Sequence, residues 1–313
     1  MSVRVSVVVP TFNRSGDLAN LLGDISRQTE KSLEVLVIDD GSNDWHIAQY
    51  ESLVQALGEH FRFVKKAQGH AGRGPGASRN RGIALAKGQY VAFCDDDDRW
   101  LASDHLERGC QALDSCDADL YWADMQTHQG DVVLNPSMYG EFSMLRAHPV
   151  QSLEQMFEVD RRLISQFLRH RIIHCDSMIL RRSLVEVSGG YWEYLRFAED
   201  HDFCFRVADR AHKALFRSAP VAALNVSPHE SIARSINATD RLLFGIMALN
   251  HAEAMLTDAY LIATARANRS WKLLELAEVL GTSKNKGAAR RLVLESFFVK
   301  PSLAGMARCL RAI

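Results

Sequence analysis

The sequence predicts an α/β fold, a mostly parallel sheet flanked by helices and followed by a C-terminal helical extension. Three observations carry this reading. Short β-branched runs alternate with amphipathic stretches through roughly the first hundred residues, polar or acidic turns recur where those runs end, and beyond about Asn237 the pattern is continuously helical. Val3 to Val9 is β-branched and stops at Pro10, after which Leu18, Leu21, Leu22 and Ile25 share one helical face. Leu33 to Ile38 is a second strand ending at Asp39-Asp40-Gly41-Ser42, and Ile47, Tyr50, Leu53, Val54 and Leu57 stripe the next helix. Phe61 to Val64 supplies a third strand, a Gly-rich loop runs to Gly76, a helix covers about Ala77 to Lys87, and Tyr90 to Cys94 is the fourth strand. Such alternation implies a parallel sheet covered on both faces. Its ligands bind outside the carboxyl ends of the strands, where Pro10-Thr11, Asp39-Asp40 and Asp95 to Asp98 converge.

Four consecutive aspartates, Asp95 to Asp98, follow the fourth strand directly. Two unit charges ~4 Å apart cost only about 1 kcal/mol in water, but the penalty rises severalfold as the effective dielectric falls, and each carboxylate then resists ionising. A divalent cation removes the conflict. Mg²⁺ or Mn²⁺ takes one or two protein carboxylates and fills its other positions with water and phosphate oxygens, so the run points to a phosphorylated substrate. The stretch from Gln68 to Asn80 then combines four glycines with Arg73 and Arg79 ahead of a helix. Glycine admits close backbone approach, a helix N-terminus favours an anion, and arginine can grip phosphate bidentately. Arg79 is therefore a candidate for the diphosphate or the nucleotide. Gly72-x-Gly74-x-x-Ala77 formally matches a dinucleotide fingerprint, but that fingerprint belongs in the first strand-to-helix turn. Here that turn is Pro10 to Arg14 and contains no glycine, which disfavours a nicotinamide-dependent oxidoreductase.

At 313 residues with 47% hydrophobic content, the chain can bury a full α/β core plus an appendage. A net charge of -1 gives no reason to expect nucleic acid as a partner. Its six cysteines make no zinc spacing and no Cys-x-x-Cys pair, which reads as reduced core thiols. The sequence opens in a strand, and no run approaches eighteen uninterrupted apolar residues, so a cytoplasmic protein without a membrane span is expected.

Val7 to Arg14, Val37 to Asp44, Ser78 to Gly82 and Phe93 to Asp98 occur in the order and spacing of family 2 glycosyltransferases, and Glu199-Asp200 fits the same pattern. The chain resembles that family over roughly its first 230 residues. The resemblance implies a Rossmann-like GT-A fold and a nucleotide-diphosphate sugar donor, a UDP-sugar favoured. It also implies Mn²⁺ or Mg²⁺ and inverting transfer to a hydroxyl of a glycan, a lipid-linked glycan or another small acceptor. On this pattern Pro10, Thr11, Asn13 and Arg14 wrap the nucleotide, while Asp39 and Asp40 face the base, Asp40 first. An ionised carboxylate only accepts, so it can read the ring N–H of uracil or thymine, or the donors of guanine. The family's D-x-D falls on Asp95 and Asp97, with Asp97 as metal ligand and Asp95 or Asp96 touching ribose or sugar; four aspartates in a row leave the register open. Asp200 takes the place of the base that removes the acceptor proton, and His229 falls where related enzymes can place a further metal ligand. His174 is either a site residue or a hydrogen-bonded core histidine, and Trp100 either supports a sugar ring or packs in the core. A non-catalytic nucleotide-sugar-binding or membrane scaffold would keep the same N-terminal motifs; the presence of Asp200 argues against it.

The expected domains are residues 1–236, a catalytic unit with a nucleotide part to about 128 and an acceptor part from about 129, and residues 237–313, the helical extension. The region around 130–171, with Trp122, Tyr139, Trp192 and Tyr194 near its ends, is expected to contribute to the acceptor pocket. From Lys284 onward Lys286, Arg290, Arg291, Lys300, Arg308 and Arg311 meet only Glu295 as an acid. A basic amphipathic tail can lie on an anionic membrane surface. It can equally pack on the catalytic unit or on a second copy in a homo-oligomer.

Overall fold

The computed structural model describes residues 2–66, 72–140, 148–226, 236–282 and 285–301. Its first half is built from β1 (Val5–Thr11), α1 (Ser15–Ser26), β2 (Leu33–Asp39), α2 (Asp44–Leu57), β3 (Phe61–Val64), α3 (Pro75–Leu85) and β4 (Tyr90–Phe93). Every residue of β1 is buried, as a central parallel strand requires. Leu18, Leu21, Leu22 and Ile25 put the apolar face of α1 into the core. Asn43 caps α2 by accepting from the His46 amide at 3.1 Å. Pro75 opens α3, where its missing N–H costs nothing. Gly82 lets α3 lie directly on β1, since a Cβ there would meet Val8 Cγ1 at 2.2 Å.

These strands pair in the order β3-β2-β1-β4, all parallel. The chain builds outward from β1 to β3 and then returns to the other side of β1 with β4. That reversal opens a crevice at the carboxyl ends of β1 and β4.

The second half comprises β5 (Arg99–Trp100), α4 (His105–Ser115), β6 (Leu120–Gln129), β7 (Val132–Asn135), β8 (Met156–Val159), α5 (Arg161–Leu168), a 3₁₀ turn at Cys175–Ser177, β9 (Met178–Arg181), α6 (Arg182–Val187), α7 (Glu199–Arg210) and β10 (Ala214–Asn225). The sheet continues β4-β9-β6-β10-β5, with β7 on β6 and β8 on β10. Here the parallel expectation gives way to a mixed sheet. β9 runs antiparallel to both β4 and β6, while β6 and β10 are parallel. A short apolar run such as Met178-Ile179-Leu180 signals burial but carries no direction. Trp122 and Tyr139 are fully buried, so they pack the core and do not line an acceptor pocket as the sequence had led us to expect. Trp100 is likewise core: its indole N–H donates to the Asp176 carbonyl at 2.9 Å.

The extension consists of α8 (Ala238–Met255), α9 (Ala259–Thr282) and α10 (Lys286–Val299). Leu249, Ala252, Leu256, Leu261 and Ala265 belong to the same buried cluster as Phe93 and Phe203, so α8 and α9 share the core of the sheet. The Asp209 carboxylate of α7 accepts from the Thr257 amide and hydroxyl and from the Asp258 amide at 2.7 to 3.0 Å. α10 is attached through α9, by the Ser270–Ser296 hydroxyl pair at 2.8 Å. No helix among the described residues is long and apolar enough to cross a membrane.

Candidate active site

The turns after β1 and β2 are stitched to each other. Asn13 adopts a left-handed φ of 53°, its amide donates to Ser42 Oγ at 2.9 Å, and its side-chain oxygen accepts from the Asn43 amide at 2.9 Å. Tyr50 of α2 sits beneath both turns, its hydroxyl accepting from the Arg14 amide at 2.9 Å and lying 3.2 Å from Thr11 Oγ1. Asp39 is buried and takes the Ser42 amide at 2.9 Å, which closes its own turn. Asp40 points the other way. Its carboxylate accepts from the Arg73 and Gly74 amides at 3.1 and 2.9 Å and from Ser78 Oγ at 3.1 Å, fastening the Gly-rich loop to the end of β2. Gly72 is part of the fit, because a Cβ there would meet Asp40 Oδ2 at 2.7 Å.

The aspartate run fills the crevice between β1 and β4, and each carboxylate is handled differently. Asp96 is buried, accepting from Thr11 Oγ1 at 2.7 Å and from Arg14 at 3.0 Å. The same guanidinium nitrogen lies 2.8 Å from Asp97. Burial, opposed by Arg14 and Thr11, pushes Asp96 up to about 6; burial and the neighbouring Asp96 charge push Asp97 up to about 7. Asp98 is raised well above the carboxylate range by burial and by Asp176, and accepts the Asn225 amide at 2.7 Å. Asp95 goes the other way. Despite burial, the Arg79 guanidinium 2.5 Å away holds it below its ordinary value. Acid is thus concentrated beyond what the local cations neutralise, and protonation relieves it.

Arg79 is 2% exposed and joins the two halves of the site: it donates to Asp95 at 2.5 Å and to Glu199 at 2.8 Å, with its guanidinium 5.1 Å above the Tyr191 ring. It is a buried brace between two carboxylates, Asp95 and Glu199. Glu199 opens α7 and Asp200 follows, partly exposed, its Oδ1 accepting from the His201 amide at 2.8 Å. The buried Cys175 thiol marks the meeting point. Burial raises it first, and Asp95, Asp176 and Asp200 add to that rise against the opposing Arg79.

Residues 6–188 match the family described as Glycosyl transferase family 2. The chain belongs to that family. It is 35% identical over 123 residues to the succinoglycan biosynthesis protein ExoW of Rhizobium meliloti, a match covering 38% of this chain and 37% of ExoW. The matched segment is therefore little more than a third of that relative's length. Among solved structures it resembles S. aureus TarS 1-349 in complex with UDP-GlcNAc, at a TM-score of 0.65 and 21% identity, covering 99% of this chain and 79% of that one. It also resembles the mannosyltransferase PcManGT of Pyrobaculum calidifontis in complex with GDP-Man and Mn²⁺, at 0.64 and 19%, again over 99% and 79%. At these identities the shared property is the fold, of GT-A type.

Within this family 2 chain, β1, β2 and β4 bring Pro10, Thr11, Asn13, Arg14, Asp39, Asp40 and Asp95 to Asp97 to one crevice, and Arg79 connects it to the turn bearing Asp200. His229 lies outside the described residues. Sequence reasoning missed Tyr50, read only as a core stripe, and Asp176, whose Oδ1 accepts the Asp95 amide at 3.0 Å. Asp176 Oδ2 is buried, with His174 Nδ1 3.6 Å away. Ligand-type atoms of Asp98, His174 and Asp176 lie within 4.8 Å of one another, as do those of Asp95, His174 and Cys175. The signal was present in His174-Cys175-Asp176, where two polar residues interrupt an apolar segment. Two carboxylates and an imidazole, as at Asp98, His174 and Asp176, are donors that fit Mn²⁺.

Proposed function

We propose that this family 2 member is an inverting, metal-dependent glycosyltransferase that moves a sugar from a nucleotide-diphosphate sugar, a UDP-sugar foremost, to a hydroxyl of a glycan or lipid-linked glycan. The observation that carries the reading is the Asp95–Arg79–Glu199 brace. It ties the acidic crevice at the β1 and β4 ends to the first turn of α7, and so sets a partly exposed carboxylate, Asp200, beside the place where donor chemistry would occur.

In this mechanism the stitched turns at Asn13 and Ser42 form the nucleotide's seat, with Arg14 near its phosphates and Asp39 and Asp40 at the base. Asp40 would hold the Gly-rich loop against the nucleotide while offering an acceptor to the ring N–H. Asp95 and Asp96 bound the ribose and sugar side. Asp97, with His229, would hold Mn²⁺ or Mg²⁺, which when bound supplies Lewis-acid stabilisation of the departing diphosphate. Arg14, which pairs with Asp96 and Asp97, would turn towards phosphate if those carboxylates held a cation. Asp200 accepts the acceptor hydroxyl's proton as its oxygen attacks the anomeric carbon opposite the leaving phosphate. One base is enough for inversion; retention would need a nucleophile on the other face.

Several features support these details. Asp97 is the most exposed of the acidic carboxyls that Arg14 touches. PcManGT is named with Mn²⁺ and TarS with UDP-GlcNAc, and ExoW is named for the synthesis of a polysaccharide. The deciding experiment is a panel of UDP-, GDP- and dTDP-sugars with and without Mn²⁺, scored by release of the nucleotide diphosphate. Metal-dependent release from one UDP-sugar is expected. Binding of nucleotides without release from any donor would favour a non-catalytic binding protein.

A further inference from the structure

α7 begins without a side-chain cap, from Ala198 in the left-handed region at φ 63°. At that end Arg79 holds Glu199 at 2.8 Å, and Asp200 Oδ1 accepts the amide of its own neighbour His201 at 2.8 Å. A second restraint lies two residues further on, at Asp202, which is fully buried. Asp202 Oδ2 receives the Arg206 guanidinium, Nε at 3.0 Å and a terminal nitrogen at 2.5 Å. Asp202 Oδ1 receives His251 Nδ1 at 2.6 Å, from α8 of the helical extension. A carboxylate only accepts, so Nδ1 carries the proton.

Arg206 alone satisfies the charge of Asp202. His251 therefore does something that charge balance does not require, and its second contact shows what. Its ring lies flat on Trp192, with centroids 4.1 Å apart at 6°, in the loop that leads from α6 to α7. Arg206 clasps the start of the same loop, donating to the Ser188 carbonyl and to the Gly190 carbonyl at 2.7 Å. Gly189 and Gly190 both sit in the left-handed region, at φ 76° and 66°, which turns those carbonyls towards the guanidinium.

We infer that His251 is a positioning residue: from the extension, with its ring steadied on Trp192, it holds Asp202 through Nδ1–H, and so sets the orientation of the α7 first turn and of Asp200. The inference rests on the reading of Asp200 as the base, and it makes the extension part of the catalytic machinery's frame. Misplacement of a reacting group by about 1 Å can cost roughly a hundredfold in rate, so a clamp at this distance has room to act.

Two substitutions separate the bond from the stack. His251→Phe keeps a ring on Trp192 and removes the donor; His251→Asn keeps a donor where Nδ1 stood and removes the ring. With UDP and Mn²⁺ as the binding probe, both should bind within about twofold of the parent, whereas turnover of the UDP-sugar chosen by the donor panel should fall roughly ten- to hundredfold in His251→Phe and recover substantially in His251→Asn. Hydrogen exchange of residues 188–206 should quicken in His251→Phe and not in His251→Asn. Parent-like exchange of 188–206 in His251→Phe, or equal loss in both variants, would overturn the inference. Asp200→Asn assayed beside them keeps the two readings apart: full activity there sinks the base assignment, while the exchange measurement still decides the clamp.

Discussion

The aspartate run and the outer face of α10 each concentrate charge of one sign, and the fold treats them in opposite ways. Asp95 to Asp98 are packed into the β1–β4 crevice and each has an assigned partner: Arg79 for Asp95, Arg14 for Asp96 and Asp97, and the Asn225 amide for Asp98. On α10, Lys286, Arg290 and Arg291 stand exposed, with water and salt to screen them. Buried like charges must be matched atom by atom, and where acids outnumber cations the remainder shows as raised pKa values. Exposed like charges make no such demand, which is why the acidic cluster is specific and the basic one interchangeable.

The largest expected effect follows from removing one charge from the crowded side. Asp97→Asn should cost about three orders of magnitude in Mn²⁺-dependent turnover, on the several kcal/mol that Lewis-acid stabilisation supplies. Steady-state assays beside Asp96→Asn and Asp98→Asn check it; retained turnover in Asp97→Asn with loss in either of the others would move the metal to a different carboxylate. Removing the matching cation tests the same contrast from the other side. Arg79→Met leaves buried Glu199 and part-exposed Asp95 without their partner and should cost roughly 3–5 kcal/mol of stability. A urea-unfolding loss below about 1 kcal/mol, the size of a surface pair, would show the brace to be dispensable.

The raised carboxyls give a pH signature. The folded-state values of about 6 for Asp96 and about 7 for Asp97 lie above the ordinary 3.8, so the folded protein holds more protons than the unfolded chain, and these two groups lower stability as pH rises from about 4 to 7. The difference between wild type and Asp97→Asn should grow less favourable to wild type over that window in chelator, and Mn²⁺ should reverse it at pH 7.5 but not at pH 5. A pH-independent difference would contradict the burial argument. The smallest effect belongs to the exposed side. Deleting Lys284 to Ile313 should leave UDP binding unchanged, while pelleting with anionic liposomes falls at low salt and converges with the parent at high salt. Equal pelleting at both would leave α10 a packing element only.

Much of the first hundred residues was legible because strand, turn and helix signals agreed there: β-branched runs, Asp and Gly turns and a 3.6-residue stripe all placed the same loops at the same sheet edge. The direction of β9 and the mixed second half were not legible, since the three apolar residues Met178, Ile179 and Leu180 give burial without polarity. Arg79 shows another limit. Its Gly-rich setting gave no sign of its partner Glu199, 120 residues away, because no local pattern reports a pairing across the fold. Asp202 and His251 likewise meet only in three dimensions, so the contribution of α8 to the catalytic half was invisible in a helical periodicity.

The account stands most directly on the separation of binding from chemistry at Asp200. Calorimetry of UDP with Mn²⁺ on the Asp200→Asn protein, run beside a transfer or donor-hydrolysis assay on the same preparation, measures both. In the proposed mechanism the nucleotide seat lies at the β1, β2 and β4 ends, whereas Asp200 meets the incoming hydroxyl from α7. UDP affinity should therefore stay near that of the parent while turnover drops by about two to four orders of magnitude, the usual contribution of a positioned base. Undiminished turnover would remove Asp200 from the mechanism, and parallel loss of UDP binding would place it in the donor site.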